Sequence, residues 1–312
     1  QTPNAFTEED ADRLRILARF MNTTVTAASE LARVTADVLL ELDDADADVL
    51  GRDEQASAAR FVANVMTPGL VDRVEAASAI RDVLDNEALE IYVQPIVELS
   101  TGAPVSCEAL SRIHGTVMKG PDWWFQAARK VEMGDELEML AIRKALEAFD
   151  VLPGQLRMAV NVGPRLVLHP EFPALFAGRP LDRLTIELTE HDEVADYGAV
   201  LDALRSLRAS GARLSMDDTG SGYSGLTHLL RLRPDVIKLD RELVTGIHAD
   251  PVKQALSTAL IVFARNIGAL VVAEGIEEAE EADCLRSMGA DYGQGFLFAR
   301  PMPPAEMAVF CT

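Results

Sequence analysis

From Ile91 onward, short apolar runs alternate with longer segments of helical periodicity. The pattern predicts strands over Ile91–Leu99, Val105–Arg112, Arg157–Val162, Leu184–Thr189, Arg213–Asp218, Val236–Asp240, Ala269–Glu274 and Asp291–Phe298. Only Ser100-Thr-Gly-Ala-Pro104 separates the first two. A parallel crossover needs about a dozen residues or more, so this pair is expected to be antiparallel. Later connections, notably Pro121–Phe149 and Arg241–Ile267, carry apolar residues at helical spacing. The prediction is an α/β fold: a TIM-like (β/α)8 barrel with an antiparallel first strand.

Ahead of the barrel, Thr7 and the acids after it read as a helix start, with a capping box between Thr7 and Asp10. Leu14, Leu17, Met21, Ala28, Leu31 and Val38 then form a seam. That seam fits a parallel dimer coil or a helix packed on its own domain. The acidic stretch 41–48 reads as a linker, and a second helical segment is expected over about 56–86. The division predicted is 1–75, a helical signalling or linker segment, and 76–312, the barrel. The chain opens on Gln1 rather than Met and so reads as a piece of a longer protein.

Within the predicted strands, one parity is apolar: Met158, Val160 and Val162, then Leu184, Ile186 and Leu188. The other parity carries smaller residues and then a polar group near the C-terminal end. Glu108, Asn161, Glu187, Asp217, Lys238 and Glu274 occupy that place on six consecutive strands. Active sites of such barrels lie at this end. Asp217-Asp218 closes its strand and enters the glycine-rich turn Thr-Gly-Ser-Gly-Tyr-Ser-Gly. Adjacent strand residues face opposite ways, so both acids can share a target only where the strand ends. Taken alone, the pair also fits a solvated acidic turn.

Composition narrows the chemistry. The formal net charge of −21 argues against nucleic-acid polymers as partners and leaves room for a small phosphorylated substrate. No apolar run is long enough to span a bilayer and no signal-peptide pattern opens the chain, so the cytoplasm is the default location. Cys107, Cys284 and Cys311 fit neither a disulfide framework nor a zinc spacing. Acids converging on one barrel mouth repel one another and need a cation. The oxygen-only set Glu108, Asn161, Glu187, Asp217 and Asp218 selects a hard ion, Mg²⁺ or Mn²⁺. Two such ions, about 3.5–4 Å apart, are the arrangement for phosphodiester cleavage. Lys238 would orient or deprotonate water, stabilise phosphorane charge, or act as a counter-ion.

Glu108-Ala-Leu110 followed by Ser111-Arg112 resembles the signature of the EAL domain family of cyclic di-GMP phosphodiesterases. Around it stand Val93-Gln-Pro-Ile96, Val160-Asn-Val162, Glu187-Leu-Thr-Glu190, Asp217-Asp-Thr-Gly-Ser-Gly-Tyr-Ser224, Asp235-Val-Ile-Lys-Leu-Asp240, Ala273-Glu-Gly-Ile-Glu277 and Gln294-Gly-Phe-Leu-Phe-Ala-Arg-Pro301. The resemblance runs from about Ala79 to Phe310. It implies Mg²⁺- or Mn²⁺-dependent hydrolysis of cyclic di-GMP to pGpG. It implies metal ligands Glu108, Asn161, Glu187, Asp217 and Asp218, with Glu274 at or beside them. Lys238 matches the proposed base or water-positioning residue, and Gln294 a residue near the catalytic water. Gln94, Arg112, Asp240 and Glu277 match substrate contacts, and Glu190 the acid that tethers the loop containing Thr219 and Gly220.

Thr219 replaces the usual Phe, Gly163 the usual Ser, and Ile113 the usual aromatic residue. None is a metal ligand. The residues at 5–18 resemble the end of a GAF domain, which implies an upstream sensory domain; the seam and the resemblance to the EAL family imply a homodimer. A barrel that binds cyclic di-GMP without cleaving it is the alternative reading.

Overall fold

A computed structural model of the chain describes residues 70–311, apart from 116, 190–193, 195 and 220–222, and without the side chains of 70–72, 218, 219 and 223–226. The expected N-terminal helix, its seam and the acidic stretch 41–48 lie outside the described residues. Of the second helical segment, the helix Leu70–Asp85 is described.

Eight strands close into a barrel in chain order. They are β1 (Leu89–Glu98), β2 (Pro104–Ile113), β3 (Arg157–Val162), β4 (Leu184–Leu188), β5 (Arg213–Thr219), β6 (Val236–Leu239), β7 (Leu270–Ala273) and β8 (Tyr292–Gln294). β1 runs antiparallel to both β2 and β8, and the other neighbours are parallel. The reversal follows from the tight β1–β2 turn. There Gly102 takes φ 74°, and its amide donates to Glu98 O at 2.8 Å. A left-handed φ favours glycine.

Helices form where the sequence supplies both a start and a stop. Asp250 accepts from the amides of Val252 and Lys253 at 2.8 and 3.2 Å and opens Pro251–Ile267. Pro251 follows the cap, and Gly268 ends the helix at φ 78°. An Asx cap, proline in the first turn and a left-handed glycine at the end are the residues each position favours. Asp196 caps Tyr197–Ala209 in the same way.

The apolar parity faces outward to the helices: Met158, Val160, Leu184, Ile186, Leu188 and Leu214 are all buried. Inside the barrel, a small apolar cluster of Ile96, Val236 and Val272 with Tyr292 lies towards the strand starts. Thr185, Glu187, Ser215 and Lys238 are buried as well.

Two strand ends differ from the sequence pattern. β7 stops at Ala273, although the Glu274 amide still donates to Leu239 O at 3.0 Å. β8 ends at Gln294 rather than running through the apolar Phe296-Leu-Phe298. Gly295 instead passes against the backbone of Ile276: a Cβ there would lie 2.1 Å from Ile276 O. The chain then folds into a turn, with Phe298 N bonded to Gly295 O at 3.1 Å. Phe296 and Leu297 are left exposed.

Candidate active site

Lys238, on β6, has a side chain only 2% exposed. Its ammonium bonds Glu187 on β4. It also lies 2.5 Å from Glu274 Oε1, 3.4 Å from Asp217 Oδ1 and 3.5 Å from Glu108 Oε2. Four acids from four strand ends therefore meet one buried cation. Burial favours neutral lysine, but the charges of Glu108, Glu187, Glu274 and Asp217 outweigh it and hold Lys238 well above its ordinary pKa. Burial raises the Glu187 pKa, against the pull of Lys238 and with the push of the other three acids. Glu274, raised first by burial and then by Asp217 and Glu108, reaches about 8 despite Lys238. One ammonium against four carboxyls leaves the site short of positive charge.

Amides hold Glu108 in place. Asn161 Nδ2 donates to Glu108 Oε1 at 3.0 Å, and Gln294 Nε2 to Glu108 Oε2 at 2.8 Å. Gln294 Nε2 also reaches Gln94 Oε1 at 3.1 Å, and Gln94 Nε2 is tied to Ala299 O at 3.1 Å. Glu108 Oε1 is thus fixed from β3, and Oε2 from β8 across the seam where β8 and β1 close the barrel. Gln294 Oε1 is buried without a partner. A buried acceptor of this kind carries a desolvation cost until a donor reaches it.

β5 solves the problem of two adjacent acids differently from the expectation. The strand does not end at Asp218; it runs to Thr219 with an irregularity in its pairing to β6. Met216 pairs with Ile237 and Thr219 with Leu239, so Asp217 and Asp218 together stand opposite the single residue Lys238. An extra residue of this kind is a bulge, which interrupts the alternation of faces. Glu190 and Gly220 lie outside the described residues, as do the side chains of Asp218 and Thr219.

A cavity of about 430 Å³ opens beside Glu108, Asn161 and Asp217. This is within the ordinary range for small-molecule sites. Arg112 also lines it, with its guanidinium 5.3 Å from the Tyr92 ring centre and donating to Ser111 O at 3.0 Å. Asp240 and Glu277 are placed elsewhere on the same rim. Asp240 caps the short helix Arg241–Val244, and Glu277 Oε1 lies 2.8 Å from Arg241 Nη2. Neither touches the Lys238 cluster among the described contacts.

Sequence reasoning missed the cavity's helical wall. Glu138 lies 3.7 Å from Arg129 and accepts from the Gly163 amide at 3.0 Å, and all three line the cavity. Thr189 lines it too, with its hydroxyl buried and unpartnered. The polar faces of the helices Pro121–Lys130 and Gly134–Phe149 were the available signal.

The donors suit a hard divalent cation. Carboxylate oxygens of Glu108, Glu187 and Glu274 lie within 4.8 Å of one another, and no sulfur or imidazole joins them. No described helix is long and apolar enough to cross a membrane.

The family model for the EAL domain matches residues 77–301. The cyclic di-GMP phosphodiesterase NbdA of Pseudomonas aeruginosa is 31% identical over 264 residues, covering 81% of this chain and 34% of that protein. PdeR of Escherichia coli, named a cyclic di-GMP phosphodiesterase, is 39% identical over 240 residues, covering 72% of this chain and 35% of that protein. The chain spans only 32–38% of the first four curated relatives. Among solved structures, Klebsiella pneumoniae BlrP1 in a manganese/cyclic di-GMP complex is 35% identical at TM-score 0.62, covering 69% of this chain and 56% of that one. The EAL enzyme Bd1971 bound to cAMP and cyclic di-GMP is 26% identical at TM-score 0.72, covering 88% and 78%.

Proposed function

The chain belongs to the EAL domain family, and from that premise we propose that it hydrolyses cyclic di-GMP to linear pGpG with divalent metal. The observation that carries the reading is the set of acids gathered round Lys238. Glu108, Asn161, Glu187, Asp217 and Asp218, with Glu274 beside them, would hold two Mg²⁺ or Mn²⁺ ions. Bound there, such ions polarise the phosphodiester and supply a hydroxide at neutral pH.

The rest falls to the chain's own groups. Lys238, kept protonated by its neighbours, donates to the attacking water or to the charged phosphorane oxygens. The free acceptor Gln294 Oε1 receives a proton-bearing group, and water is its proposed donor. Arg112 suits a phosphate oxygen, since a guanidinium donates in a planar fork. Gln94, Asp240 and Glu277 are the further substrate contacts, and Glu190, Thr219 and Gly220 position the loop after β5. Water adds to one phosphorus, the P–O3′ bond breaks and the 3′ oxygen takes a proton.

The wider setting belongs to the same proposal: residues 1–75 as a signalling helix, 76–312 as the output barrel, an upstream sensory domain, a homodimer and a cytoplasmic location. Incubating the purified chain with cyclic di-GMP and Mn²⁺ and separating products by chromatography tests the activity. Formation of pGpG that EDTA abolishes is expected. Cyclic di-GMP bound but uncleaved, where a related active domain turns over, would overturn it in favour of a receptor.

A further inference from the structure

Below Lys238 and Glu187, at the opposite end of the barrel from the mouth, lies a second cavity of about 190 Å³. That is far more than the ~10–15 Å³ one water requires. Its polar lining includes Arg157, Arg213, Ser215, Thr185, Gln155 and Tyr292. Arg157 is the first residue of β3 and Arg213 the first of β5. Each shares the inward parity of its strand, with Asn161 and Asp217 respectively. Lys238 and Glu187 of the acid cluster also line this cavity, so they divide it from the mouth.

Two of these groups lack partners. Arg157 Nη1 is buried without a hydrogen-bond partner, and so is the hydroxyl of Ser215, a residue only 1% exposed. Among the described residues, neither guanidinium's side chain forms an ion pair. Burial and then the charge of Arg213 lower the Arg157 pKa, with Asp182 opposing them. Two like charges facing a polar hollow, with orphaned donors around it, are costly unless an anion joins them.

We propose that the basal cavity is a binding site for a small tetrahedral oxyanion, held by Arg157 and Arg213 with the Ser215 hydroxyl as a further donor. Guanidinium groups match such anions because two N–H bonds can reach two oxygens at once. Arg157 and Arg213 line this cavity and not the one at the mouth, whose lining includes Glu108, Asn161 and Asp217, while Glu187 and Lys238 stand between the two.

Titrating the intact chain with inorganic phosphate in EDTA, at ionic strength fixed with chloride, tests this through the melting temperature. A saturable rise is expected with phosphate and none with chloride. Arg157→Gln and Arg213→Gln should each weaken the apparent affinity by about tenfold or more, while Arg112→Gln leaves it unchanged. No rise in the wild type overturns the proposal. So does a rise that survives both basal substitutions or vanishes with Arg112→Gln, which would place the anion in the mouth. Selenate soaked into wild-type crystals gives a readout that needs no variant. Anomalous density between Arg157 and Arg213 supports the site, and a cavity holding water alone at saturating selenate overturns it.

Discussion

Lys238 Nζ lies 2.5 Å from Glu274 Oε1, although the two residues come from neighbouring strand ends and burial disfavours charge on both. The pair persists because Glu108, Glu187 and Asp217 stabilise the ammonium from the other sides. Removing the lysine would leave these acids facing one another. In metal-free protein, Lys238→Met should cost about 3–5 kcal/mol of stability, the scale for breaking a buried ion pair. Urea unfolding in EDTA and in Mn²⁺ checks it: the loss should shrink when metal is restored. Turnover should fall by roughly 10²–10⁴-fold if Lys238 serves the reacting water.

Stability of the metal-free chain should depend on pH. Glu274 rises from 4.5 towards about 8 on folding, and Glu187 shifts the same way. The folded state then holds more protons than the unfolded state between those values, so stability falls as pH rises through about 5 to 8. Divalent metal replaces those protons, and its stabilising effect should grow over the same window. Melting curves at pH 5, 6.5 and 8, with and without Mn²⁺, measure both trends.

Glu108 accepts from Asn161 and Gln294 through its two oxygens. Glu108→Ala should abolish turnover, by at least about 10²-fold, while the barrel persists. Product assays paired with far-UV circular dichroism separate the two effects. Loss of fold would make Glu108 a structural residue instead.

Gly295 has no room for a side chain, since a Cβ would meet the Ile276 backbone at 2.1 Å. Gly295→Ala should destabilise by about 1–3 kcal/mol, the scale of overpacking. Because Gln294 is next in the chain, turnover should fall more than stability alone explains. Activity measured well below the variant's melting temperature tests that.

Much of the barrel was legible because strand parity is a simple code. An apolar outer face and a polar residue near each strand end placed Glu108, Asn161, Glu187, Asp217, Lys238 and Glu274 on one rim. Features that depend on exact register or long-range proximity were not legible. Phe296 and Leu297 look like strand residues, yet the passage of Gly295 over Ile276 turns them outward. Arg157 and Arg213 stand 56 positions apart in the sequence and come near each other only because β3 and β5 flank β4 in the sheet. Glu138 meets Gly163 because the helix Gly134–Phe149 packs beside β3.

The bulge in β5 makes the Asp217-Asp218 pair a matter of length as well as of chemistry. Deleting one residue between Met216 and Thr219 would keep an acid there and change composition hardly at all. It would also restore an unbroken ladder with β6 and let the count run in step. The segment therefore behaves like a reading frame: substitutions alter one letter, whereas a single insertion or deletion rephases everything between Met216 and the glycine-rich turn.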